Sequence, residues 1–468
     1  MSNSQPTQIV ILGGSGDLAK RKLIPALIDL YTHNKLPEVF SIIGLARTPR
    51  TNEEYRAFVA DSLQKHGHGH SPEQIESFCA HFSYVSGSFD EKGSYGALTQ
   101  TIASFEEEQS VCTNKLFYLA VPPEYYETIF KNIHTSGLAK ICADENWSRI
   151  LVEKPFGNDL QTAQKLDKTL GSLFKEDQIF RIDHYLAKEA VQNILSFRFA
   201  NTLMRSPWNN QHIKQVSIKM HESIDIQNRG NFYDAIGALR DVGQNHLLQL
   251  LALVAMDEPT TFTPADIRKE RAKVLSNLIP ITKKTVSTQV TRGQYEGYLD
   301  TEGVSSDSTT ETFFSFTAYL KNKKWAGVPF YIEAGKSMLE RSVVIEILFK
   351  DVASGPFETQ TCNTVENKVT LTLSPEQAMH ITINAKKPGH GYQLESRTLS
   401  FTCDKEGEEI DAYEKVLLDC IEGDHTLFTK TDEVLASWKF ITSILQNWND
   451  VPLQTYKKGN TGPVQYKS

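Results

Sequence analysis

No C-x-x-C pair occurs among the six cysteines of this 468-residue chain, Cys79, Cys112, Cys142, Cys362, Cys403 and Cys420. Neither a zinc ribbon nor a redox dithiol is therefore encoded, and the scattered thiols are expected to be reduced. No apolar run approaches the ~20 residues of a membrane span, since the longest, Leu247 to Met256, is interrupted by Gln249. The N-terminus, Met1 to Gln8, lacks the apolar region of a secretory signal, and a cytoplasmic location is expected. Positive charge is not in excess either. Lys+Arg 49 against Asp+Glu 57 leaves a net charge of -8, which provides no basic field for nucleic acid or a membrane surface. Internal repeats and low-complexity tracts are missing. What remains, 40% hydrophobic and 23% charged residues, is a globular composition long enough for two or three domains.

Up to about residue 186, short apolar runs alternate with amphipathic helical stretches, the pattern of an α/β domain with a parallel sheet covered on both faces. Strands are expected at Gln8–Leu12, Phe40–Ala46, His81–Ser86, Lys115–Ala120, Arg149–Val152 and Gln178–Arg181, with helices such as Leu18–Tyr31 and Leu160–Phe174 between them. The pattern then changes. Helices over Lys188–Phe199 and Leu239–Ala255 are followed by alternating strands at Gln215–Met220, Thr312–Leu320, Val343–Phe349, Lys368–Leu373 and His380–Ala385. Such alternation predicts an α+β domain with a large, mainly antiparallel sheet. The division proposed is residues 1–186 and 187–468. A final helix, Glu433–Asn447, precedes a tail from Tyr456 that is expected to dock loosely.

The run Gln8 to Leu12 leads into Gly13-Gly14-Ser15-Gly16-Asp17-Leu18-Ala19-Lys20, a strand, a tight turn and a helix start. Gly14, Gly16 and Ala19 fit the G-x-G-x-x-G/A fingerprint, in which glycines let the backbone approach a pyrophosphate at a helix N-terminus. At the end of the second strand, Arg47 stands where an NAD site would place an acidic residue for the ribose hydroxyls. A guanidinium there suits a 2′-phosphate, so NADP is expected over NAD, by roughly 1.5 to 3 kcal/mol.

Two further segments concentrate chemistry. Val152 through Gly157 brings Lys154 out at the carboxyl end of a buried strand, where ligands of such sheets bind. Arg181 through Glu189 packs five ionisable side chains and Tyr185 into nine residues at a strand-to-helix junction. In extended backbone Asp183 and His184 point to opposite sides. His184 and Lys188 suit a phosphate, and Asp183 is left to orient another group. His246 lies at the polar start of an apolar helix, five residues after Asp241, a spacing that does not share an α-helical face. Its orienting carboxylate must then come from elsewhere, with Asp183 the available candidate. Glu222, Lys336 and Arg341 follow strands of the second domain and are expected to converge on the same place. The run Lys65-His66-Gly67-His68-Gly69-His70 has no nearby carboxylate or thiol in sequence and reads as a solvated loop; no metal site is expected.

These segments together resemble the glucose-6-phosphate dehydrogenase family, most specifically in Arg181-Ile182-Asp183-His184-Tyr185-Leu186. The resemblance implies an N-terminal Rossmann domain, a second domain whose sheet makes a homodimer or a homotetramer, and oxidation of D-glucose 6-phosphate at C1 with NADP. It implies His246 as general base, Asp183 as its orienting carboxylate, and His184, Tyr185 and Lys188 as the phosphate grip. Lys154, Glu222, Asp241 and Lys336 match sugar-contacting positions. Lys22 and Lys154 match the place where substrate and cofactor meet, and Tyr126 matches a cofactor contact.

Three departures stand out. Ala187 replaces a glycine usual in the Asp183 block. Ser374 stands where some members have a glutamine near the substrate. Glu333, Ser342 and Thr372 replace basic residues of members that carry a second NADP, so one NADP per subunit is expected. Two other readings remain at this stage: a different NAD(P)-dependent sugar oxidoreductase, such as the glucose-fructose oxidoreductase and inositol dehydrogenase group, which share a Glu-Lys-Pro segment; and a silent relative that only binds NADP.

Overall fold

The near-continuous apolar runs of β1 (Thr7–Leu12) and β2 (Phe40–Ala46) can face water on neither side, and both strands are buried along their whole length. They sit in the middle of a sheet. The structure is a computed structural model that describes residues 5–351, 366–390, 393–402 and 411–463. Beside these strands lie β3 (Phe82–Ser86), β4 (Asn114–Leu119), β5 (Ser148–Val152) and β6 (Ile179–Ile182), all parallel, in the order 3-2-1-4-5-6 read from one edge. This is a Rossmann sheet, with its ligand crevice at the carboxyl ends of the strands.

Among the described residues a second, nine-stranded sheet is mainly antiparallel. Its strands are β7 (Ile213–His221), β8 (Val290–Tyr295), β9 (Phe313–Ala318), β10 (Phe330–Gly335), β11 (Ser342–Phe349), β12 (Lys368–Ser374), β13 (Ala378–Lys386) and β14 (Leu394–Thr402), with one more from the chain's end. Only the β7–β10 pair and the last pair run parallel. Along β11, Val343, Ile345 and Ile347 are buried and alternate with half-exposed neighbours, so one face meets the core. The segments Glu189–Phe199 and Leu239–Leu247 pack on that covered face.

After β14 the chain returns to the first sheet. A short strand, β15 (Phe428–Thr429), pairs antiparallel with β6, and the helix Ala412–Glu422 packs on the helix Ile24–Thr32. Arg149 holds this return in place, donating to the carbonyls of Cys420 and Ile421 at 2.7 Å each.

Four local expectations are corrected. The helices expected over Leu18–Tyr31 and Leu239–Ala255 each begin with a π-helical stretch, Ala19–Leu23 and Leu239–Leu247, before turning α-helical. The tail is not loose: β16 (Leu453–Tyr456) extends the second sheet beside β8, and Asn460 bridges to Met338. Cys112 and Cys142 are not reduced thiols but a disulfide, with Cα atoms 6.2 Å apart. No motif announces that pair, because it is the β4–β5 pairing that brings their two loops together. Cys79 and Cys420 are free and buried, while Cys362 and Cys403 lie outside the described residues. Finally, the histidine loop is not simply solvated. His68 and His70 each hold one oxygen of the buried Asp29 carboxylate at 2.7 Å, a partner 39 and 41 residues away. Among the described residues no helix is long and apolar enough to cross a membrane.

Candidate active site

At the carboxyl end of β1 the chain turns on Gly13, whose φ of +91° and whose missing Cβ are both required: a Cβ would stand 2.3 Å from the carbonyl oxygen of Ala120. Gly14 passes close over β2, where a Cβ would fall 2.7 Å from the Gly44 Cα. The turn is tied by the Gly13 amide on the Leu45 carbonyl and the Gly16 amide on the Gly13 carbonyl, both at 2.8 Å. Tyr55 braces it from below, its hydroxyl donating to Gly14 O at 2.9 Å. Ser15, Asp17, Leu18, Ala19 and Lys20 carry the chain into the helix, and no side chain caps that N-terminus. A cradle this bare, with amides left for a phosphate, fits a dinucleotide pyrophosphate. Arg47 stands exposed one residue past β2, within electrostatic reach of Asp90.

Three strand and helix ends meet beside this cradle. Lys154 leaves β5, Asp183 leaves β6, and His246 projects from the π-helical stretch. The His246 Nδ1 lies 2.5 Å from Asp183 Oδ1, and its Nε2 lies 2.8 Å from the Lys154 ammonium. An ammonium can only donate. Nε2 therefore holds the lone pair and Nδ1 the proton that it donates to Asp183. The second hold on Asp183 Oδ1 is the Tyr185 amide at 3.0 Å. Burial lowers the pKa of His246; Asp183 pulls the other way, Lys154 adds to the fall, and the net is a base below the usual histidine value. Burial raises the pKa of Asp183, but His246, Lys154 and the Tyr185 amide together outweigh it and keep the carboxyl below its usual range.

The π-helix changes one reading of the sequence. Asp241 and His246, five apart, do not share an α-helical face, yet i→i+5 bonding aligns them. Both now meet Lys154, which donates to the Asp241 carbonyl at 3.2 Å and lies 3.6 Å from its Oδ1. Burial opposes the charge of Asp241, and Lys154 and Lys336 together hold its pKa down. Lys336, at the end of β10, donates to Glu222 at 2.5 Å. Tyr185 lies on the His246 ring with centroids 4.3 Å apart, and the Lys188 ammonium sits 4.0 Å over the Tyr185 ring. Arg341 is exposed just before β11 and acts on the Tyr185 phenol electrostatically. An imidazole oriented by a carboxylate, ringed by four cations beside a dinucleotide cradle, can take a proton from a hydroxyl of an anionic substrate.

The family profile described as "Glucose-6-phosphate dehydrogenase, NAD binding domain" matches residues 10–193, and that of the C-terminal domain matches residues 195–468. The chain belongs to the glucose-6-phosphate dehydrogenase family. It is 39% identical over 479 residues to the glucose-6-phosphate 1-dehydrogenase of Bacillus subtilis, covering 99% of this chain and 96% of that one. With the enzyme of the same name from Aggregatibacter actinomycetemcomitans the identity is 40%, covering 97% and 94%. Among solved structures, a glucose-6-phosphate dehydrogenase in complex with its substrate glucose 6-phosphate superposes with a TM-score of 0.90 at 36% identity, covering 99% of this chain and 96% of that one. The Mycobacterium avium glucose-6-phosphate 1-dehydrogenase gives 0.86 at 30%, covering 98% and 96%.

Within this glucose-6-phosphate dehydrogenase fold, one expected contact is moved. Tyr126 is fully buried, so its side chain cannot touch a cofactor; its hydroxyl donates to the Glu153 carbonyl at 2.8 Å and so holds the turn that presents Lys154. His184 turns away from Asp183, to 3.5 Å from Glu153 and against the Tyr413 ring at 4.4 Å. Glu153, also held by the Tyr118 hydroxyl at 2.5 Å, was not singled out from the sequence, although it adjoins Lys154. Burial raises its pKa, but His184, the Tyr118 hydroxyl and Lys154 together outweigh that and hold it below the usual value. Lys22 approaches Asp411 at 4.0 Å and lies 5.9 Å over the Tyr413 ring. Nothing in the sequence marks Asp411 or Tyr413, which reach the site only because the helix Ala412–Glu422 folds back on the first domain. Ala187 is buried without strain in the turn after Asp183, and Ser374 is buried at the end of β12.

Proposed function

We propose that this protein oxidises D-glucose 6-phosphate at C1 to 6-phospho-D-glucono-1,5-lactone with NADP as oxidant, the first step of the oxidative pentose phosphate pathway. The observation that carries the reading is the Asp183–His246–Lys154 array beside the Gly13–Gly16 cradle. His246 Nε2 takes the C1 hydroxyl proton, and Asp183 steadies the imidazolium so formed. Lys154 and Asp241 position the sugar, with Glu222 and Lys336 from the second domain. His184, Tyr185, Lys188 and Arg341 hold the phosphate, and Lys22 stands between substrate and cofactor. Gly13 through Lys20 and Arg47 hold the NADP, which when bound supplies the acceptor for the hydride leaving C1. Two domains, 1–186 and 187–468, provide the cofactor and substrate halves.

The same reading takes one NADP per chain. Glu333, engaged by His221 at 2.7 Å, puts a carboxylate, and Ser342 and Thr372 put hydroxyls, where members with a second NADP carry basic side chains. A homodimer or homotetramer through the second sheet is supported by Ile383, Leu399 and Phe401, apolar yet exposed on β13 and β14. A cytoplasmic location with no nucleic-acid or membrane partner completes the proposal.

Following NADPH absorbance with glucose 6-phosphate tests it. His246→Asn should lower the rate by about 10² to 10⁴, and glucose without phosphate should be a far poorer substrate. An unchanged rate in the variant removes His246 from the role of base.

A further inference from the structure

Three helices that carry none of the reacting groups enclose a second cleft. Leu160–Leu173, Pro264–Ser276 and Thr431–Leu445 pack around a cavity of about 780 Å³, the size of a site for a small organic ligand. Six cations line it, Arg268, Lys269, Lys273, Lys321, Lys430 and Lys439, against a single carboxylate, Asp432. Such a concentration runs against the chain's net charge of -8. Leu160, Leu275, Leu278, Leu435 and Phe440 give the wall an apolar part, and Gln164, Ser276 and Asn277 add neutral polar groups.

Two of the lysines are paired, Lys273 with Glu270 at 2.5 Å and Lys430 with Asp432 at 3.5 Å. Arg268 is not. Its Nε and Nη1 are closed off from solvent and have no hydrogen-bond partner. Glu433, the carboxylate that acts on it most, is already engaged by Arg271 at 2.8 Å. Arg268 thus adds a positive charge at the wall of the cleft that no carboxylate holds by a hydrogen bond at Nε or Nη1.

We propose that this cleft binds a nucleoside polyphosphate, its phosphates among the six cations and its base on the apolar wall, and that the bound nucleotide modulates turnover. The coupling runs through the helix Thr431–Leu445. Asp432, Leu435, Ala436, Lys439 and Phe440 place one face of it on the cleft. Val434 and Ser437, on the opposite face, abut the pocket behind Lys154 and Asp183, and Trp438 donates to the Phe156 carbonyl at 2.8 Å. A ligand that shifts or stiffens this helix therefore acts on the turn that carries Lys154.

Calorimetric titration with ATP, done with NADP saturating so that the Rossmann cradle is filled, tests the site. One equivalent of ATP should bind per chain, at least tenfold more weakly in the double variant Lys321→Glu/Lys439→Glu, which leaves the reacting groups untouched. Tripolyphosphate should bind more weakly than ATP, and ATP should change kcat or KM of the wild type but not of the variant. No binding, or equal binding by the variant, overturns the site. Equal binding of tripolyphosphate overturns its assignment to a nucleotide, and binding without kinetic effect overturns the coupling.

Discussion

The Lys154 ammonium donates to Nε2 of His246 across 2.8 Å, on the lone pair that the ring has left once Nδ1 carries the proton. Opposite it, Asp183 holds Nδ1 at 2.5 Å. The imidazole is thus gripped at both ends, in a single tautomer, by charges of opposite sign that push its pKa in opposite directions. In the proposed reaction the C1 hydroxyl takes the place of the lysine at Nε2.

Replacing the carboxylate should therefore move the acid limb of activity down. In Asp183→Asn the attraction that raises the His246 pKa is gone, while burial and Lys154 continue to lower it. The loss of activity on acidification should set in at lower pH than in the wild type. Because the tautomer is no longer enforced, kcat should also fall by about 10² to 10⁴. A pH profile of kcat/KM reads both effects, and an acid limb displaced upward contradicts the arrangement.

The opposite shift is expected at Lys154. Lys154→Gln removes a cation that lowers the His246 pKa, so the base protonates more readily and the acid limb should move up. KM for glucose 6-phosphate should rise at the same time, as Asp241 loses the charge that holds it in place. The two variants moving the limb in the same direction would exclude the electrostatic account.

Arg47 stands exposed where a 2′-phosphate would lie, and its loss should be felt by one cofactor only. Arg47→Ala should reduce the NADP over NAD preference by the equivalent of roughly 1.5 to 3 kcal/mol, about ten- to a hundredfold. Activity with NAD should be nearly untouched. Measuring kcat/KM with each cofactor checks this, and an unaltered ratio removes Arg47 from the cofactor site.

Gly243 lies inside the π-helical stretch, packed so tightly that a Cβ would stand 2.8 Å from Cζ of the buried Phe314 ring. Gly243→Ala should cost about 1 to 3 kcal/mol through this overpacking. It should also lower kcat, since Asp241 and His246 flank it. Thermal unfolding and steady-state kinetics together test this, and a variant with wild-type melting and turnover would show that the stretch yields without consequence.

The positions of β1 to β6 and of the glycine turn were legible in the sequence because apolar runs and glycine spacing are local signals. Asp183, His246 and Lys154 were legible as residue types, and Asp183 could be offered to His246 by elimination. Their spacing misled at Asp241, because periodicity assumes an α-helix and the chain there adopts i→i+5 bonding. Tyr126 misled in another way: its match to a motif says nothing of burial, and the fold turns it inward to Glu153.

By itself, then, the sequence determined the alternation of strands and helices in the first domain and the glycine turn, each set by residues within a few positions of one another, and it singled out His246 as the candidate base. Tertiary structure alone decided the rest. Asp183 meets His246 across 63 residues, Cys112 pairs with Cys142, the helix Ala412–Glu422 brings Tyr413 to His184, and the helix Thr431–Leu445 lines a basic cleft. The reason is physical: local patterns encode which face of an element is buried, whereas convergence of side chains depends on where sheet edges and helix ends are brought by packing.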